Sequence, residues 1–176
     1  MPCTAVLKFL KKLVASPKAA PPVPSPVAYP RPMAEMVEYL VLLQTCSTAP
    51  SRGRQGNLLR LAMLLAEDPY CLGYLHGMFD SLCEQWQIPA AERRLVVGTA
   101  STILFRDLLD GGCDPRTIGK LEDAAFNGLL AFANDPAFQR GKFDGCTELT
   151  RYTATKEQRD MPSRLHERLR QLAEAA

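Results

Sequence analysis

Residues 68–89 read Asp68-Pro69-Tyr70-Cys71-Leu72-Gly73-Tyr74-Leu75-His76-Gly77-Met78-Phe79-Asp80-Ser81-Leu82-Cys83-Glu84-Gln85-Trp86-Gln87-Ile88-Pro89, and this stretch decides the fold. Pro69 suits the first position of a helix, where its missing N–H would have no intrahelical partner anyway. The spacing predicts a helix over 70–87, closed by Ile88-Pro89, which opens the next one. Tyr70, Tyr74, Met78, Phe79 and Trp86 make the segment aromatic. Gly73 and Gly77 form a small-xxx-small pair that lets another backbone approach closely. The pair marks either a tight crossing in the core or, together with Tyr70 and Tyr74, a protein-binding surface.

The same punctuation recurs on both sides of this stretch. Residues 57–66 form a Leu-rich helical run that ends at Asp68-Pro69. After Ile88-Pro89, the periodic positions Leu95, Val96, Thr99, Ile103, Leu104 and Leu108 run to Gly111-Gly112. Asp114-Pro115 supplies an N-cap and a first-turn proline for a helix with Ile118, Leu121, Ala125, Leu129 and Phe132 on one stripe. Asn134-Asp135-Pro136 ends it. A less regular stretch follows to Thr155, where Arg151-Tyr152-Thr153-Ala154-Thr155 alternates like a short extended segment. A last helix from Ser163 carries Leu165, Leu169 and Leu172 on one face, too short for an independent zipper, so it is expected to pack on the bundle. On the other side of the opening stretch, residues 33–45 have helical periodicity and 47–56 read as a polar loop.

These elements predict an all-α protein, a single helical bundle of about five to seven helices over residues 33–176. Ala66-Glu67-Asp68-Pro69 resembles Ala133-Asn134-Asp135-Pro136, and Gly77-Met78-Phe79-Asp80 with Glu84 resembles Gly141-Lys142-Phe143-Asp144 with Glu148. The matches suggest an internal duplication of 57–110 and 115–175, with shared helix punctuation as the alternative.

The N-terminal part differs in kind. On a helical wheel, residues 4–15 place Val6, Leu7, Phe9, Leu10, Leu13 and Val14 on one side and Lys8, Lys11 and Lys12 on the other. Seven prolines between Pro17 and Pro32 forbid helix and favour an extended tether. The expected organisation is therefore a basic amphipathic helix (1–16), a Pro-rich linker (17–32) and the helical domain (33–176). The net charge of +2 hides an acid-free, basic leader ahead of a mildly acidic domain. Val6, Leu7, Lys8, Phe9, Leu10, Lys11, Lys12 and Leu13 form a surface suited to an anionic membrane or to a groove on a partner protein. A cytoplasmic location with peripheral membrane association is the expectation, and organellar targeting by the leader is the alternative.

The domain lacks the concentrated positive charge of a nucleic-acid binder. The C-terminal arginines come with no aromatic or Gly-rich motif, which speaks against nucleic acid as a partner. The six cysteines are dispersed without metal-knuckle spacing and read as small buried hydrophobes in a reducing compartment. No phosphate-binding loop, dinucleotide fingerprint or nucleophile elbow occurs. The functional expectation is a non-enzymatic protein-interaction module, an adaptor or assembly factor without cofactor. The alternative is a helical metal-dependent enzyme: His76, Asp80 and Glu84 recur at i, i+4 and i+8 on one helix face, and Asp144 and Glu148 would complete a ligand set.

Overall fold

A computed structural model describes residues 29–45, 54–109 and 114–174; the leader and most of the Pro-rich segment lie outside the described residues. Within them the protein is all-α, with seven α-helices and no strand. The helices are α1 (Pro30–Thr45), α2 (Arg54–Glu67), α3 (Pro69–Gln85), α4 (Ala90–Leu109), α5 (Pro115–Ala131), α6 (Pro136–Thr155) and α7 (Arg164–Glu174). A short 3₁₀ turn (Gln158–Asp160) precedes α7.

Three of the starts use the same device. The carboxylates of Asp68, Asp114 and Asp135 each accept from amides of the first turn, at 2.9 Å from Cys71 N, 3.0 Å from Arg116 N and 2.7 Å from Ala137 N. Each is followed by a first-position proline. α1 begins three residues before the expected domain start, because Pro30 and Pro32 occupy its first turn, where no amide partner is lost. α2 likewise begins at Arg54, inside the stretch read as loop.

The less regular stretch is the largest departure from the sequence reading. Residues 136–155 form one continuous 20-residue helix, α6, and the alternating segment 151–155 is its last turn and a half. Its threonines resemble a strand by composition. In the helix the Thr153 and Thr155 hydroxyls instead donate to the carbonyls of Leu149 and Arg151 one turn back, at 2.9 and 3.2 Å.

α3 is the centre of the molecule. It touches all six other helices, and eleven of its residues are buried around its circumference. Its closest neighbour is α6, which runs parallel to it. A Cβ at Gly73 would overlap the Phe138 carbonyl, and one at Gly141 would overlap the Tyr70 carbonyl; Gly77 and Gly145 stand in the same relation to Lys142 and Tyr74. Every one of these contacts maps onto its counterpart by adding 68 to the α3 residue number. The crossing is therefore locally two-fold, like the self-complementary interface of a symmetric dimer. This register pairs Gly73 with Gly141 and Gly77 with Gly145, one turn away from the Gly77/Gly141 match seen in the sequence. The symmetry stops at the crossing, since α5 packs against α2 and α4.

Candidate functional site

The α3–α6 crossing carries a buried polar network. Asp144 and Glu148 project from α6 with side chains only 3% and 5% exposed. Asp144 accepts from Tyr70 Oη at 2.9 Å and Arg140 Nε at 3.1 Å, and is paired with Arg164. Glu148 accepts from Tyr74 Oη at 2.6 Å and from the Ser163 and Arg164 amides at 3.1 and 3.3 Å, so it caps the N-terminus of α7 from another helix. Burial, with the carboxylates beside them, pushes both tyrosine hydroxyls well above their ordinary range, so they stay protonated as donors. Arg168 completes the clasp by pairing with Asp68 at 2.7 Å. Burial opposes the charge of Asp68, but Arg168 and the Cys71 amide outweigh it and hold its carboxyl below the usual carboxylate range. This network fastens α7 to the core.

The network corrects two sequence readings. Gly73, Tyr74 and Gly77 lie inside the crossing, with Tyr74 fully buried and Tyr70 half-buried beside it, so these four residues offer no exposed protein-binding surface. Their core reading is the one that matches their placement. Asp144 and Glu148 are saturated by tyrosine, arginine and backbone donors. Among the described residues, no three His, Cys, Asp or Glu side chains converge as a metal site. Asp80 instead contacts Lys142 Nζ at 2.7 Å, and His76 Nδ1 stands 3.8 Å from its carboxylate. His76 and Lys142 hold the Asp80 carboxyl low even though burial, the largest influence on it, works the other way. Glu84 is largely exposed and turns to Arg93 at 3.7 Å. Of the cysteines, Cys71 and Cys83 are buried free thiols, and burial raises Cys83 to about 11.

An open groove of about 370 Å³ lies where α3, α4 and α5 meet. His76 and Asp80 contribute from α3, Ala90, Arg93, Arg94, Val97 and Gly98 from α4, and Phe126, Leu129 and Leu130 from α5. Phe126 and Leu130, one turn apart, are 54% and 61% exposed. Leu95, expected on the core stripe of α4, is also on the surface at 69% exposed. Arg93 is held by its Nε donating to the Ile88 carbonyl at 3.0 Å. Arg94 is exposed and has no ion pair among the described residues. Bulky apolar side chains that remain in water beside a concave surface are the usual mark of a docking site.

The groove is not evident from the sequence, although one signal for it is present. The core stripe of α5 already has Leu121, Ala125 and Leu129; Phe126 and Leu130 are a second apolar pair displaced by one residue, more than one buried face requires. The leader residues Val6, Leu7, Lys8, Phe9, Leu10, Lys11, Lys12 and Leu13 lie outside the described residues. No described helix is long and apolar enough to cross a membrane.

Compared with known proteins, the chain matches no family, no curated protein and no solved structure.

Proposed function

We propose that this chain is a non-enzymatic protein-interaction module whose docking surface is the groove between α3, α4 and α5. The observation that carries the reading is the pair Phe126 and Leu130, more than half exposed on the wall of a concave surface rather than turned into the adjoining core. Two of the charged groups beside it are engaged, Asp80 with Lys142 and Arg93 with Glu84 and a carbonyl, while Arg94 has no ion pair among the described residues. That arrangement suits a surface that binds through apolar contact with a charged rim.

The test places a photoreactive phenylalanine analogue at position 126 of the full chain in its native cells, with position 127 as the control one residue round the helix. The reading expects an adduct of defined mass from 126 and not from 127, lost when Leu130→Glu is added. An adduct at twice the chain's mass would assign the groove to a second copy. Equal labelling from both positions, or an adduct indifferent to Leu130→Glu, would remove the groove as the docking surface.

A further inference from the structure

Gly98 sits in the middle of α4 on the wall of the groove, and its own fold gives it little reason to be glycine. A Cβ there would meet only Phe126 Cε2 at 4.0 Å, an ordinary contact. A glycine inside a helix costs about 1 kcal/mol relative to alanine. At Gly73, Gly77, Gly141 and Gly145 that cost is offset by a neighbouring helix backbone occupying the space. At Gly98 no backbone occupies the corresponding space, and Phe126 Cε2 is the atom within 4.0 Å of it.

The charges around that notch do not cancel. The carboxylate facing the groove, Asp80, is neutralised by Lys142 at 2.7 Å. Arg93 is shared with the exposed Glu84 at 3.7 Å, and Arg94 has no anionic partner among the described residues. Among the side chains that line the groove, the unbalanced charge is therefore that of Arg94. The chain's own leader, residues 1–16, contains no acidic residue and cannot supply the complement.

We infer that the occupant of the groove is an acidic amphipathic helix of a partner protein, crossing α4 over Gly98 with its apolar side chains against Phe126 and Leu130 and a carboxylate on Arg94. This rests on the groove reading above and adds the chemistry of the partner. Close approach at Gly98 reproduces, between molecules, the geometry that α3 and α6 use within this one. The apolar contact supplies affinity, and Arg94 selects the sign of the partner's charge.

The test is a displayed library of helix-forming 16-residue peptides with randomised apolar, acidic, basic and neutral positions, selected on the full chain. Enriched peptides should carry apolar residues at i and i+3 or i+4, with Asp or Glu within one turn. Gly98→Leu should weaken their binding by about tenfold or more while thermal unfolding stays at or above that of the unsubstituted chain. Arg94→Glu should switch the enriched charge from acidic to basic. If the enriched peptides are apolar but indifferent to charge and are still lost in Gly98→Leu, the groove stands and the acidic partner does not. If basic peptides, or a peptide of residues 1–16, win the selection, the inference is likewise overturned and the leader becomes the occupant. If nothing enriched responds to Gly98→Leu, both the groove and its partner fall.

Discussion

Replacing Gly145 by alanine adds one methyl group inside the close crossing of α3 and α6. Its Cβ would overlap the Tyr74 carbonyl oxygen and stand 2.9 and 3.1 Å from the Tyr74 carbonyl carbon and Cα. All three are backbone atoms, so no side-chain rotation relieves the clash. Ordinary contacts between such atoms are about 3.5–4 Å, so the axes of α3 and α6 must separate by something on the order of 1 Å, a gap that forfeits a quarter to a half of the attraction along the crossing. Overpacking of this kind costs about 1–3 kcal/mol. The same separation stretches the Tyr74–Glu148 and Tyr70–Asp144 hydrogen bonds, at 2.6 and 2.9 Å, adding about 1–3 kcal/mol. Against this, alanine improves helix propensity by about 1 kcal/mol. The net expectation is a loss of roughly 1–5 kcal/mol, or about 2–20 °C in melting temperature for a chain of this size. Chemical denaturation and calorimetry of the full chain measure it, with Gly98→Ala as the control expected to gain about 0.5–1 kcal/mol. Should Gly145→Ala match or exceed the parent protein in stability, the close crossing is not the organising contact described here.

Further outcomes follow from the clasp and the surface. Glu148→Ala removes the acceptor for Tyr74 and for the α7 amides and should cost about 2–4 kcal/mol, with residues 164–174 becoming the first to exchange their amide hydrogens. The Asp68 carboxyl is held below its unfolded value, so its contribution is complete above about pH 4–5 and disappears as pH falls through the folded value. Arg168→Met should accordingly be less stable than the parent at pH 7, with the difference shrinking below about pH 4 in denaturation curves taken across pH. Phe126→Glu and Leu130→Glu, at exposed positions, should each change stability by less than about 0.5 kcal/mol, whereas Leu104→Ala in the buried core should cost about 2–5 kcal/mol. Cys71 and Cys83, buried with raised thiols, should resist alkylation until the chain unfolds, as read by mass spectrometry of the labelled peptides.

Much of the fold was legible because Asp-Pro pairs and period-3.6 stripes are local signals. Pro69, Pro115 and Pro136 each stand at a helix start for a reason contained in two or three residues. The continuity of α6 was not legible, since Thr150, Thr153 and Thr155 lower local helix propensity and only the long contact with α3 outweighs that. The meaning of Gly73 and Gly77 depended on their partner: the small-residue spacing announced a close crossing, but Gly141 and Gly145 had to be recognised as its other half. His76, Asp80 and Glu84 shared a helix face as expected, yet which neighbours met them was a tertiary fact, and Lys142 rather than a second set of acids arrived beside Asp80. The groove was the least legible feature, because it is formed by three helices whose relative placement no single periodicity encodes.

The most direct measurement is a nuclear magnetic resonance titration of the isotopically labelled full chain with the partner segment identified by cross-linking from position 126. The largest backbone shifts should fall on Arg94, Gly98, Phe126 and Leu130 and be absent in Gly98→Leu. Shifts concentrated instead around Phe143, the exposed aromatic on α6 at 64% exposure, with Gly98 and Leu130 unmoved, would contradict it.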